Sequence, residues 1–321
     1  MTGAIPAVSI VPPGTLVCGL QLPVAAQTTS FVQPWETSAG SEEMRRVAVA
    51  ADRAGFFYLA VSDHVAVPRS HAAAMSTTWY DTVATLGFVA ALTTRIRLLS
   101  YVWVAPYRHP LVTAKAFATL DALSGGRVIL GVGAGHVEAE FAALGADFRR
   151  RGARLDEAID GVVKAWTDEF PVLDGPTGPA RDLGIRPRPV QSPRPPLWVG
   201  GSPPAARRRA AGRGDGWLPQ GVPEIGMPAA IARIRALRAA ARGDAPIELG
   251  MNAPWLYLGR PYPELDPTTR TGSAAEIAEV FRSIKQLGVA HSGVRFRSRS
   301  CAELLEQIEA FGADVLPLIN Q

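Results

Sequence analysis

The stretch "VSDHVAVP", residues 61–68, sets Asp63 and His64 side by side directly after an apolar run. An imidazole has an ordinary pKa of ~6.5 and can give or take a proton near neutrality. A carboxylate beside it can orient it, so the pair suits general acid–base work. It equally suits a strand end whose His is satisfied by a loop carbonyl. A second histidine, His136, follows three alternating glycines in "GVGAGHVEAEF" (131–141), as a pocket group or a loop residue. Gly131, Gly133 and Gly135 leave one face of that strand end without side chains, so a ligand or another backbone can come close. In "WVGGSPPAARRRAA" (198–211), Gly200, Gly201 and Ser202 precede a Pro-opened helix. Free N–H groups at a helix start attract a phosphate, but a tight turn with a Ser cap has the same sequence. "VRFRSRS" (294–300) alternates Arg295, Arg297 and Arg299. Arg297 is the candidate here for an anionic substrate or cofactor tail, with a surface ion pair as the alternative.

Other chemistries lack their residues. There is no HExxH, no CxxC and no GxSxG, and the five His show no ligand spacing. No metal site and no serine hydrolase is expected. A bound organic cofactor would then carry the reaction.

These groups need a scaffold, and the chain alternates. Strands are read at 15–23, 56–65, 95–106, 127–135, 196–201, 216–220, 247–259 and 291–297. Each is followed by a helical segment: 41–55, 79–93, 110–126, 149–168, 203–214, 228–243, 273–288 and 301–313. Eight strand-then-helix units mean a parallel sheet with crossover helices, and they favour a closed (β/α)8 barrel, an α/β fold. The rival, an open doubly wound sheet, would carry a Gly-rich phosphate loop after its first strand. "GLQLPVAAQTTS" (19–30) is nothing like one. One barrel domain over 1–321 is expected, with a Pro/Gly-rich insertion near 169–192. Catalytic groups in this fold lie at the C-terminal strand ends, where all the residues above fall. Alternation along 57–64 puts Tyr58, Ala60, Ser62 and His64 toward the barrel and its mouth, and Leu59, Val61 and Asp63 on the helix side. Gln21, residues 69–79, residues 169–192 and Trp255 are expected to wall a substrate pocket.

The bulk composition agrees. The 321 residues are 47% hydrophobic, enough for one large core. The net charge of +4 is mild, and the densest basic patch, 206–214, has no interleaved aromatics. A solvated helix face explains it better than nucleic-acid binding. No apolar run reaches the ~18–20 residues of a membrane span, and no signal peptide is read at the N-terminus. The two cysteines lie far apart. A cytoplasmic protein with a small-molecule partner, without nucleic acid or membrane, is expected.

Four segments together resemble the luciferase-like monooxygenase superfamily, specifically the deazaflavin (coenzyme F420)-dependent oxidoreductases of actinobacteria. They are "GFFYLAVSDHVAVP" (55–68), residues 93–135, "PPLWVGGSPPAARRRAAGRGDGWLP" (195–219) and "GVRFRSRS" (293–300). The resemblance implies a (β/α)8 barrel of the bacterial luciferase type with insertions at its C-terminal face. It implies a deazaflavin in the mouth, resting on a strand-three bulge at Ser100, Tyr101 and Val102 that often holds a non-prolyl cis peptide. Relatives commonly have a small residue where Tyr101 stands. By the same resemblance, Asp63 and His64 stand beside the reactive ring. Gly135 and His136 line its pocket, and Gly200, Gly201 and Ser202 bind its phosphate. Apart from the resemblance, their places at the strand ends make Gln21, Trp255 and Arg297 the expected substrate contacts. The implied reaction is hydride transfer with a small organic substrate. An FMN-dependent monooxygenase and a non-catalytic flavin-binding barrel are the alternatives. Dimers are common in the superfamily, so a homodimer is a further expectation.

Overall fold

The computed structural model describes residues 7–175 and 178–321. Eight parallel strands close on themselves: β1 (Val17–Gln21), β2 (Tyr58–Val61), β3 (Arg97–Ser100, resuming at Trp103–Val104), β4 (Val128–Gly133), β5 (Leu197–Gly200), β6 (Gly216–Leu218), β7 (Glu248–Leu256) and β8 (His291–Phe296). Each pairs with its neighbour, and β8 returns to β1 with Val17 opposite His291. The break in β3 does not open the ring. Leu98 and Leu99 pair with Val128 and Ile129 before it, and Trp103 and Val104 with Val132 and Gly133 after it. Eight helices surround the strands: α1 (Ser41–Ala54), α2 (Thr82–Leu92), α3 (Pro110–Ser124), α4 (Arg151–Thr167), α5 (Pro204–Arg213), α6 (Met227–Arg242), α7 (Ala274–Gln286) and α8 (Cys301–Ala310).

The pleat sorts the apolar side chains into two cores. Leu59, Val61, Leu98 and Val128 face outward and pack with the helices. Tyr58, Ala60, Leu99, Ile129, Trp198 and Leu218 fill the barrel itself. In the lumen Trp198 stacks on His291 at 4.0 Å, and Tyr58 meets Trp198 edge-on at 5.8 Å. Each large ring stands against a glycine on a neighbouring strand. A Cβ at Gly19, Gly216 or Gly250 would fall 2.1–2.3 Å from Tyr58, Trp198 or His291. Burial drives the His291 imidazole down to about 3, so it is neutral at physiological pH.

The N-terminal segment closes the bottom of the barrel. The backbone N–H groups of Ile10 and Val11 donate to Glu248 Oε1 at 2.6 and 2.7 Å. Trp198 Nε1 donates to Oε2 of the same residue at 2.9 Å. Below them Asp215 forms a fully buried ion pair with Arg194 at 2.6 Å.

The departures from the sequence reading are local. The third strand, expected to run through 95–106, breaks after Ser100, and Pro106 lies in the 3-10 turn Ala105–Tyr107. The 169–192 excursion contains a short antiparallel hairpin, Leu173–Gly175 with Gly178–Ala180. The final helix continues through a π-turn at Phe311–Val315 to Ile319. Among the described residues, no helix is long and apolar enough to cross a membrane.

Candidate active site

The break in β3 shapes the mouth. The Tyr101–Val102 peptide is cis, between the two pieces of the strand. Three glycines hold this bulge in place. Gly131 lets the Ser100 carbonyl come so near that a Cβ would lie 2.0 Å from it. A Cβ at Gly133 or Gly200 would lie 2.4 or 2.7 Å from the Val102 methyls. The open side of the glycine strand end is therefore filled by the bulge itself. The buried Ser100 hydroxyl donates to the Gly131 carbonyl at 2.9 Å and accepts from its N–H at 3.0 Å. Tyr101 reaches across the lumen, where its hydroxyl and the Asn252 amide are hydrogen-bonded at 3.1 Å. Together Tyr101 and Val102 make a half-buried floor.

His64 stands at the edge of this mouth, three residues past the end of β2. Its Nδ1 is 2.8 Å from Oε2 of Glu140, on the short helix Glu138–Ala143 after β4. That carboxylate is 1% exposed. It also accepts from the Tyr107 hydroxyl at 2.7 Å, from Ala66 N–H at 3.1 Å and from Val65 N–H. Burial alone would raise its pKa, but the bonds from His64, Tyr107, Ala66 and Val65 outweigh it and hold the group at about 2. Glu140 is thus an anion that only accepts. Nδ1 of His64 must carry the hydrogen, which leaves Nε2 as the basic atom of the neutral ring. Trp79 packs on the imidazole with centroids 4.5 Å apart, and His136 meets it edge-on at 5.6 Å. Burial first, then the nearby His64, lower the His136 pKa below its ordinary value.

Asp63 does different work. Its carboxylate holds Arg108 through two bonds of 2.7 and 2.9 Å and accepts the Val104 N–H at 2.9 Å. Arg108 in turn lies 3.5 Å from the centroid of the Trp103 ring. Asp63 therefore pins the strand just beyond the bulge, and it makes no hydrogen bond to His64 among the described residues.

On the far rim, Gly201 has φ +110°, where a glycine is favoured, and its N–H donates to the Leu218 carbonyl at 2.9 Å. The Ser202 hydroxyl donates to the Gln220 carbonyl at 2.8 Å. What this turn leaves for an anion is the start of α5, whose first N–H groups have no acceptor within the helix. Across the mouth, Gln21 and Trp255 come together around Arg295. Arg297 lies 4.1 Å from the Trp255 ring centroid and is bonded to Asp266 at 2.9 Å. No group of metal-ligating side chains exists among the described residues.

The luciferase-like monooxygenase family profile matches residues 23–257, most of this barrel. The chain belongs to that family. It is an oxidoreductase of the luciferase-like type. An F420-dependent glucose-6-phosphate dehydrogenase of Beutenbergia cavernae is 40% identical over 176 residues, 53% of this chain and 50% of that protein. An FMNH(2)-dependent dimethylsulfone monooxygenase of Pseudomonas putida is 30% identical over 220 residues, 68% of this chain and 58% of that protein. The crystal structure of the monooxygenase RslO1 from Streptomyces bottropensis superposes with a TM-score of 0.75, covering 94% of this chain and 99% of that one at 22% identity. That last likeness speaks to the fold.

Within this luciferase-like barrel, Glu140, Tyr107, Arg108 and Asn252 are site residues the sequence does not single out, and Trp79 is legible only as one end of the 69–79 pocket wall. Glu140 carried a signal. An acid beside Phe141, four residues after His136, is an odd occupant for a buried helical turn. The rest are loop or strand residues whose partners are set only by the closed ring.

Proposed function

We propose that this chain is an F420-dependent oxidoreductase that moves a hydride between the deazaflavin and a small organic substrate. The observation that carries the reading is the buried, ionised Glu140 fixing His64 at the rim of the Tyr101–Val102 floor. The residues present fit a flat tricyclic group. The floor made by Tyr101 and Val102 is half-buried, and Gly131, Gly133 and Gly200 let it lie close against β4 and β5. When bound, the deazaflavin supplies the hydride donor or acceptor.

The chain's own residues would do the rest. Tyr101 and Val102 seat the ring, and the start of α5 faces its phosphate. His64 Nε2 takes a proton from a substrate hydroxyl, or returns one to a substrate carbonyl, as charge develops there. Glu140 stabilises the imidazolium so formed and keeps the ring from turning. Trp79 covers the imidazole and excludes water from it. Holding donor and acceptor in contact is the larger part of the task.

The Pseudomonas putida relative supports a second reading, reduced FMN with oxygen. Titrating the protein with F420 and with FMN, following ligand fluorescence, separates the two. Tight F420 binding supports the first reading, tight FMN binding alone supports the second, and no binding of either favours a barrel without catalysis.

A further inference from the structure

The arginines around the mouth differ in one respect. Arg297 pairs with Asp266 at 2.9 Å, Arg299 with Glu303 at 2.6 Å and Arg108 with Asp63 at 2.7 Å. Arg295, on β8, has no carboxylate within ion-pair distance among the described residues. Its guanidinium donates to the neutral Gln21 Oε1 at 2.9 Å and lies 3.7 Å from the Phe31 ring centroid and 5.9 Å from that of Trp255. It is half-buried, and burial is the main influence lowering its pKa. A cation taken out of water without a counter-charge is costly, and proteins seldom leave one so without a use for it.

The space beside it is an open cleft between β1, β8 and the segment after β1. Leu22, Ala26 and Leu304 give it apolar walls, and Phe31 and Trp255 give it aromatic ones. Its one acid, Glu36, is already engaged: Oε2 accepts from Val24 N–H at 2.8 Å and Oε1 from Gln33 N–H at 2.9 Å. Glu36 is turned to those backbone donors and makes no ion pair with Arg295 among the described residues, so the Arg295 fork is the cationic group left to meet a ligand. A phosphate site gathers several cations or a helix start, and neither is here. A single guanidinium fork matches a planar carboxylate.

We propose that Arg295 and Gln21 form a carboxylate subsite, and that the substrate is an organic acid whose apolar or aromatic body lies against Phe31 and Trp255. The word substrate rests on the proposed function. The anion subsite stands on the geometry alone.

The test needs no turnover. The cofactor-free protein is titrated with benzoate and with benzamide, its neutral analogue of the same shape, following heat or tryptophan fluorescence. Benzoate should bind at least about ten-fold more tightly, the scale of one charge-assisted bond. Arg295→Met should abolish that preference, Arg295→Lys should keep part of it, and Arg299→Met should leave it intact. Circular dichroism checks that each variant folds, and Arg295→Gln replaces any that does not. Equal binding of the two probes by the wild type, or a preference that survives Arg295→Met, overturns the proposal. F420 affinity is measured on the same variants. Discrimination between the probes without F420 binding keeps the subsite and removes the cofactor reading. Loss of F420 binding in Arg295→Met, with no benzoate preference in the wild type, assigns Arg295 to the cofactor and overturns the subsite.

Discussion

His64 and Glu140 stand 76 residues apart in the chain and meet through Nδ1 and Oε2 at 2.8 Å. The contact joins the end of β2 to the short helix after β4, across the bulge of β3. It also fixes which nitrogen of His64 faces the mouth. A loop carbonyl at Nδ1 would set the same tautomer but would bring no negative charge to stabilise the imidazolium.

Replacing His64 by Ala should lower kcat by at least about a hundred-fold, the usual contribution of a positioned acid or base. F420 affinity should change by no more than a few-fold, because the floor is made by other residues. Steady-state kinetics beside a fluorescence titration measures both. Turnover near that of the wild type would remove His64 from the mechanism.

Glu140→Gln keeps the shape of the side chain and removes its charge. A loss of about 10- to 100-fold in kcat is expected, the range seen when a group behind a reactive one is altered. A merely structural role would lower the amount of folded enzyme and leave the kcat of what survives in place. The expected result is instead a lower kcat at an F420 affinity changed by no more than a few-fold. A kcat equal to that of the wild type would count against the pair acting together.

Acid should expose the same carboxylate. The folded-state pKa of Glu140, about 2, lies below its ordinary 4.5. A depressed carboxylate adds stability that is fully present above its unfolded value and is lost as pH falls through the folded one. The difference corresponds to about 3 kcal/mol. Urea unfolding of the wild type and Glu140→Gln should show the largest gap above about pH 4.5, shrinking as pH falls toward about 2. A gap that stays constant with pH would contradict the assignment.

The bulge offers a packing test. A Cβ at Gly133 would meet a Val102 methyl at 2.4 Å, while Val102 Cβ lies at 3.5 Å, an ordinary contact. Gly133→Ala should cost about 1–3 kcal/mol by overpacking. Adding Val102→Ala should recover much of that cost. Thermal melts of the two single variants and the double variant form the cycle. Strict additivity would mean that the two residues do not press on each other.

Asp63→Asn separates support from catalysis. Removing one partner of a buried pair strands Arg108 and should cost about 3–5 kcal/mol. A large fall in Tm is expected, with the kcat of the surviving folded enzyme reduced less than in His64→Ala. A selective collapse of kcat at unchanged Tm would return Asp63 to the chemistry.

The barrel was legible because its signal is periodic. Alternation along Tyr58–Val61 sorted lumen from helix side, and the same parity put His64 at the mouth. The limit came where a partner lies far off in sequence. Asp63 sits beside His64 in the chain, yet the pleat turns it away, toward Arg108. The acid that reaches His64 comes from beyond β4. The alternating arginines were visible too, but not their state of charge. Asp266 pairs with Arg297 from a loop with no periodicity, and Glu303 pairs with Arg299, while Arg295 has no ion-pair partner among the described residues. Glycines at 131, 133 and 200 announced a close approach, and only the closed ring shows that the bulge is what approaches.

The plugged lumen has a kinetic consequence. Tyr58, Trp198 and His291 fill the barrel below the floor, and Ile10 and Val11 lie across its base. The molecule is a cup, not a tube. Anything that binds against Tyr101 and Val102 arrives and departs through one opening. A ring seated there would load and leave by the same route as any second guest of the mouth.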